Sequence, residues 1–478
     1  MLPIEKNRNY IIDITDMTHE GQGVGRVNGM AVFVDGALEG EQVEARIIKS
    51  GKTYAVGKLI SVIRRSPHRT EPFCAAYRRC GGCSMQHMDY AAQLQFKTKL
   101  VKDTLLHIGG LKDINVHDTI GMRQPFNYRN KAQYPVAYAN GSVITGFYAA
   151  RSHDVIDSEE CGIQDPAGDR VRKIVGGFIN EKSISVYNEA GATGLVRHIV
   201  TRVGFKTGEV MVVLVINGDD LPYREELVKR LVEGIHAAEA EDAGLAEGSE
   251  GLSEVSGSSR KYEINSIYLN VNTENTNVIM GCRNILIYGS ETITDTIGDY
   301  KFMISPNSFF QVNPAQTEIL YSKALEYAGL TGTQTVFDLY CGIGTISLFL
   351  SAKAHKVYGV EVVEEAVVDA RRNAAINSVN NVEFIWGEAE KAVPLMYNKG
   401  IRADVVVLDP PRKGCEESLL RLIAEMRPKR IVYVSCNPAT LARDLKYLAG
   451  QGYTAAEAQP VDMFPWTGHV ETVCLLSS

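Results

Sequence analysis

Three acidic or sulfur-bearing side chains stand at the borders of apolar runs. Cys436 lies in Ser435-Cys436-Asn437-Pro438, directly after Ile431-Val432-Tyr433-Val434. A helix led by Pro438 would turn its N-terminal dipole toward the sulfur and favour the nucleophilic thiolate. Asp409 opens Asp409-Pro410-Pro411-Arg412-Lys413-Gly414, and the two prolines fix the backbone just past the run Val405-Val406-Val407-Leu408. Glu471 follows Trp466-Thr467-Gly468-His469-Val470 at the start of the last apolar run and is placed to take a proton. On sequence alone a surface glutamate on an edge strand is an equally good reading of Glu471. Most cysteines among apolar neighbours are inert core residues, and Cys282, Cys341 and Cys474 are expected to be such.

The chemistry these residues serve follows from the turn Asp338-Leu339-Tyr340-Cys341-Gly342-Ile343-Gly344-Thr345. Its glycines allow a tight turn and a close approach of backbone to a cofactor. Ser347 stands where a dinucleotide fingerprint needs a third glycine or alanine, which disfavours hydride transfer. Glu361, at the end of the next strand, is placed to accept hydrogen bonds from both hydroxyls of a ribose. An adenosine-type cofactor without a pyrophosphate fits better, which points to S-adenosylmethionine. Arg412 occupies the place where base amine methyltransferases carry a stacking aromatic, so methylation of an exocyclic amine is the lesser reading. A thiolate is what C5 of uracil requires. That carbon is too weak a nucleophile until sulfur adds to C6 and makes the ring an enolate. The C5 proton must then go to a base before the sulfur can be expelled.

A second set of cysteines, Cys74, Cys80 and Cys83 with Cys161 far behind, supplies three local thiols and one remote. Structural zinc usually takes two close pairs, whereas a 4Fe-4S cubane accepts three plus one. The cluster is preferred and zinc is the alternative. Basic and aromatic residues surround the set (Tyr77, Arg78, Arg79, His87, Tyr128, Arg129, Lys131), which suits a structural and RNA-docking role.

The elements that must position these groups divide the 478 residues into three units. Residues 1–66 alternate apolar and polar positions in short runs between glycine turns and predict an all-β barrel of about five strands. Residues 67–305 predict an α+β central domain carrying the cysteines. It contains a helix over 88–109 that would pack on the catalytic domain, strand-like segments from 125 to 300, and an acidic, flexible insertion over 237–259. Residues 306–478 alternate strand and helix, as in a doubly wound, Rossmann-like α/β domain whose ligands sit at the carboxyl ends of the strands. The net charge of -7 is unevenly spread. Residues 60–134 hold twelve Lys and Arg against five Asp and Glu, while 236–259 hold six acids and no Lys or Arg. A local basic zone can bind phosphates whatever the global sign. The longest apolar run, Val210 to Ile216, is far short of the ~20 residues of a membrane span, and the first ten residues lack a secretory apolar core. A cytoplasmic protein is expected, with no membrane and no obligate protein partner.

Several of these segments match a known family. Gly21, Gly23, Val24 and Gly25, with Val32-Phe33-Val34 and Gly36 to Glu41, resemble the TRAM module, an OB-like RNA-binding barrel. Residues 336–361, 404–414, 430–444 and 465–476, with Ile304 to Asn313 and Asn275 to Gly281, resemble the RNA uracil-C5 methyltransferases that use S-adenosylmethionine. The resemblance spans essentially the whole chain outside the acidic insertion. It implies Cys436 as nucleophile, Glu471 as base, and Gln311, Tyr340, Glu361 and Asp409 as cofactor contacts. Tyr340 stands where the family often has phenylalanine, a change that preserves stacking. The branch acting on 23S rRNA carries Cys74, Cys80, Cys83 and Cys161 as 4Fe-4S ligands, whereas the bacterial tRNA branch generally lacks both cluster and barrel. A single-stranded or loop uridine of 23S rRNA is therefore the expected substrate. The alternatives are the same chemistry on a tRNA uridine, or a non-catalytic rRNA assembly factor.

Overall fold

The computed structural model describes residues 4–139, 141–246 and 260–478. Five strands, β1 (Asn9–Met17), β2 (Gly23–Val27), β3 (Met30–Asp35), β4 (Gln42–Ser50) and β5 (Tyr54–Arg64), close into a barrel in the order β1-β2-β3-β5-β4. Alternation puts Ile12, Ile14, Val32, Val34, Val43, Ala45 and Ile47 inside it.

Two helices cover a central seven-stranded sheet. Its strands are β7 (Lys131–Ala139), β8 (Ser142–Tyr148), β9 (Val155–Asp157), β10 (Val196–Val203), β11 (Glu209–Ile216), β12 (Glu263–Val271) and β13 (Arg283–Gly289). Their order is β13-β12-β11-β10-β7-β8-β9. The helices α2 (Pro166–Glu181) and α3 (Arg224–Ala246) supply Val171, Val175, Phe178, Leu227 and Leu231 to the core beneath that sheet. Both lie in a region whose sequence reads as strands, and α3 continues through 237–246, the first part of the segment expected to be flexible. Residues 247–259 of that segment lie outside the described residues. A two-stranded hairpin of β14 (Ile293–Ile297) and β15 (Tyr300–Ile304) leads into the catalytic unit.

That unit is built on an eight-stranded sheet: β16 (Thr335–Leu339), β17 (Lys356–Glu361), β18 (Val382–Trp386), β19 (Val405–Leu408), β20 (Arg430–Ser435), β21 (Thr454–Val461), β22 (Glu471–Ser477) and the short β6 (Asn115–Val116). The order is β18-β17-β16-β19-β20-β22-β21-β6. The parallel strands are buried on both faces, so they read as continuous apolar runs. Val405 and Val407 face one core, Val406 and Leu408 the other. The first core is closed by α4 (Pro314–Ala328), α5 (Thr345–Ser351) and α6 (Glu364–Ile376). The second is closed by α1 (Tyr90–His107), α7 (Ala389–Asn398), α8 (Glu417–Met426) and α9 (Pro438–Gly450). Thus α1 and β6, remote in sequence, are part of the catalytic layer, with Asn115 and Val116 pairing Glu457 and Ala458. Among the described residues no helix is long and apolar enough to cross a membrane.

Candidate active site

The chemistry gathers where β20 and β22 run antiparallel. Val434 pairs Val473 and Ser435 pairs Thr472, so one step further the chains bring Cys436 and Glu471 to the same end of the ladder. β22 lies inside the sheet rather than at its edge, and Glu471 is buried. Burial and the neighbouring Asp409 carboxylate, opposed by Arg412, push Glu471 up to about 8. Asp409 follows β19 and is pushed up to about 7 by burial. Cys436 is half-buried at the N-terminus of α9. The helix N-terminus favours the thiolate there, but other groups oppose it. Burial, then the Glu471 and Asp409 carboxylates, push the thiol up to about 11, against the pull of Arg412. Two acidic neighbours in a desolvated pocket outweigh one helix end.

Asn437 ties the two loops of the site together. Its Oδ1 caps α9 by accepting from Ala439 N–H at 3.0 Å, and its Nδ2 donates to the Arg412 carbonyl at 3.3 Å. Thr440 donates to that same carbonyl at 3.2 Å. Residues flanking the cysteine thereby hold the loop that carries Arg412.

The turn after β16 forms the other wall. Tyr340 adopts a left-handed φ of 68°, and Gly344, the N-cap of α5, one of 83°. Glu361 ends β17 and accepts from Gly342 N–H at 3.0 Å and Val363 N–H at 2.9 Å, which fixes its carboxylate at the strand tips. The Tyr340 hydroxyl donates to Glu390 at 2.9 Å. Gln311 is buried in the strap between β15 and α4, with its carbonyl accepting from Asn130 Nδ2 at 3.1 Å. The four expected cofactor residues thus come from the strap and from the ends of β16, β17 and β19. Asp338 is fully buried. Its Oδ2 accepts from the Ser347 hydroxyl, and its Oδ1 has no partner among the described residues. Burial pushes it up to about 7. An orphaned carboxylate oxygen suits a ligand that brings a donor or a positive charge. Tyr321 of α4, which no sequence motif flags, is buried and bonded to Thr345 at 3.0 Å. It lies within the fields of Asp409, Asp338 and Glu471. A groove of about 940 Å³ between Phe205, Arg260 and α4 holds none of these residues.

The loop that delivers Glu471 is clamped from three sides. Lys97 of α1 donates to Asp462 at 2.5 Å and to the Phe464 carbonyl at 3.1 Å, and Tyr90 donates to Asp462 at 2.9 Å. Both members of the Lys97–Asp462 pair are fully buried. The Trp466 carbonyl accepts from the Ser84 and Met85 N–H groups at 3.0 Å each. Its own N–H donates to Gln93 at 3.0 Å, and its indole N–H to the Pro125 carbonyl at 2.7 Å. At Gly468 a Cβ would stand 2.5 Å from the His19 carbonyl oxygen, so the barrel's first loop rests directly on this segment.

Cys74, Cys80, Cys83 and Cys161 are all half-buried. Burial and then mutual repulsion among the thiols push Cys80 up. Cys83 rises to about 12, with Cys161, Cys80 and Cys74 as its acidic neighbours. Cys161 is pushed to about 11 by burial, with Asp169 and Cys80 adding to it. Cys83 and Cys161 pack on Tyr128, Ile163 and Trp466. Among the described residues, however, no three His, Cys, Asp or Glu side chains form a group that could hold a metal ion. The four cysteines lie in one neighbourhood but do not converge into a metal-holding group. Of the cysteines expected to be inert core, Cys341 and Cys474 are buried, whereas Cys282 is exposed beside β13, whose edge position leaves that end open.

Comparison with known proteins agrees with this architecture. Residues 286–478 match the family described as tRNA (Uracil-5-)-methyltransferase, and residues 5–60 match the TRAM domain. The chain is 50% identical over 476 residues to an uncharacterized RNA methyltransferase of Caldanaerobacter subterraneus subsp. tengcongensis, covering 100% of this chain and 99% of that one. It is 48% identical over 474 residues to one of Halalkalibacterium halodurans, covering 99% and 98%. The crystal structure of Pyrococcus abyssi tRNA (uracil-54, C5)-methyltransferase with S-adenosyl-L-homocysteine superposes with a TM-score of 0.74 at 28% identity. That match covers 98% of this chain and all of the other.

Proposed function

Because the chain belongs to the RNA methyltransferases that join a TRAM domain to a uracil-5-methyltransferase domain, we propose that it methylates C5 of a single-stranded or loop uridine in 23S rRNA. The observation that carries the proposal is the placement of Cys436 and Glu471 at one end of the β20–β22 ladder. Cys436 loses its proton to solvent and its sulfur bonds to C6 of the flipped uracil. The C5–C6 electron pair passes into the ring as an enolate. S-adenosylmethionine, when bound, supplies the methyl group to C5. Glu471 takes the C5 proton, and the returning electron pair expels the Cys436 sulfur and restores the ring. A carboxylate near 8 is matched to accepting and releasing that proton at neutral pH. Gln311, Tyr340, Glu361 and Asp409 hold the cofactor, and the free Oδ1 of Asp338 suits its positively charged end.

Cys74, Cys80, Cys83 and Cys161 would hold a 4Fe-4S cluster. The donor type fits, because four thiols, three local and one remote, are the set such a cluster takes, and Cys83 feels Cys161, Cys80 and Cys74. The barrel, the basic stretch 60–134 and the cysteine set support rRNA as the substrate. The Pyrococcus abyssi protein, which matches this chain at 98% coverage, supports tRNA as a second reading. A non-catalytic assembly factor would have no use for Cys436, Glu471 and Asp409 together.

Labelled methyl transfer and adduct trapping test the chemistry. RNA bearing 5-fluorouridine offers no removable C5 proton, so a stable adduct accumulates with wild type and not with Cys436→Ala. An adduct with that variant overturns the assignment. Mapping 5-methyluridine in rRNA and tRNA of a deletion strain separates the two substrates. Anaerobic purification and an absorption spectrum test the cluster, and a colourless zinc protein refutes it.

A further inference from the structure

Three cations meet beneath the strap that carries Gln311. Lys131 at the start of β7 pairs directly with Arg202 near the end of β10, and Arg129 precedes Lys131 by two residues. Burial comes first among the influences on the Lys131 ammonium, followed by the Arg202 and Arg129 guanidinium groups. They push it down to about 7, with no carboxylate opposing them. Other buried cations among the described residues have acidic partners, as Arg69 has Glu41, Lys97 has Asp462 and Arg172 has Asp169, or, as with Arg197, stand alone on backbone carbonyls; here three cations are gathered without an acidic partner. None of these three forms an ion pair among the described residues. Arg202 is 3% exposed. It spends one nitrogen on the Pro306 and Ser308 carbonyls and keeps a buried Nε–H without an acceptor, as does Arg129. Uncompensated buried charge is costly, and a site built this way is completed by an anion. Arg129 and Lys131 are only half-buried, so the seat opens to solvent. Asn130, between them, donates from its backbone to Val312 at 2.9 Å and from its side chain to Gln311, locking the cations to the strap.

We propose that Arg129, Lys131 and Arg202 form a seat for one backbone phosphate of the RNA, next to the uridine to be methylated. The inference rests on RNA being the substrate. The competing anion is the carboxylate of the methyl donor. Phosphate is favoured because the cations belong to the central sheet, whereas Tyr340, Glu361 and Asp338 stand at the tips of β16 and β17.

The test measures binding of a uridine-loop RNA hairpin against salt concentration, with S-adenosylhomocysteine binding by calorimetry alongside. Lys131→Met keeps the length and apolar stem of the side chain. It is expected to weaken RNA binding and lower the salt slope by about one, with S-adenosylhomocysteine affinity unchanged. Lys131→Arg restores the slope. An unchanged slope, or loss of S-adenosylhomocysteine affinity with RNA binding intact, overturns the proposal. Binding is read without methyl transfer. A wild type that fails to methylate uracil while Lys131→Met still lowers the slope therefore refutes the functional reading alone.

Discussion

Replacing Glu471 by glutamine should make the protein more stable and stop it turning over. The side chain is 5% exposed and is pushed from the usual 4.5 up to about 8. Below pH 4.5 the folded and unfolded chains both carry the proton, and the glutamate costs nothing. Between 4.5 and 8 the unfolded chain releases a proton that the folded chain keeps, so stability falls as pH rises and the penalty is complete above about 8. At pH 7 roughly 2.5 pH units separate the solution from the unfolded value, which at ~1.4 kcal/mol each amounts to about 3 kcal/mol. Glutamine has nearly the same shape and no such penalty. At ~2–4 °C per kcal/mol, the melting transition of Glu471→Gln should lie about 6–12 °C above wild type at pH 7, and the two should nearly coincide at pH 4.5. Calorimetric scans at both pH values read this directly. With ordinary uridine RNA the same variant should accumulate covalent RNA on Cys436, because the C5 proton has nowhere to go. A gain that is absent or equal at the two pH values would refute the electrostatic argument, and full turnover would remove the base role.

Since Glu471 must be ionised to accept a proton, kcat/KM for RNA should climb as pH rises from about 6 to about 8; a flat profile contradicts the assignment. Lys97→Met strands the buried Asp462 carboxylate and should cost about 3–5 kcal/mol in urea unfolding. Adding Asp462→Asn should recover much of that loss, and additive losses would show that the two residues do not act as a pair. Gly468→Ala forces a Cβ against the His19 carbonyl oxygen, so the barrel should shift and RNA affinity fall while S-adenosylhomocysteine binding holds; equal RNA affinity would mean that the barrel is not held by this contact.

The parallel core and the loops at its strand ends could be read from the sequence because each is a local signal. Runs such as Val405 to Leu408 announce strands buried on both faces, and Asp409, Glu361 and Cys436 follow such runs directly. Pairing over long distances has no such mark. Nothing in Asn115-Val116 tells that it joins a strand at Glu457, and β22 reads equally well as an edge until its place between β20 and β21 is seen. The same gap hid Lys97 with Asp462, Trp466 with its four partners, and Tyr321. The electrostatics of Cys436 are only half legible for a related reason. The helix start is visible in the sequence, but the two carboxylates that outweigh it arrive from other strands. Helices α2 and α3 were missed because their short apolar stripes lie between segments of strong strand character.

The hydrogen bonds from Ser84 and Met85 to the carbonyl of Trp466 join the opening fifth of the polypeptide to its last dozen or so residues. On the ribosome, the early cysteine loop emerges long before the segment that will cap it. The nascent chain therefore passes through an interval in which the thiols are uncovered and the loop bearing Glu471 has not yet emerged. Loss of the Trp466 segment would consequently uncover cysteines hundreds of residues upstream as directly as it would remove Glu471.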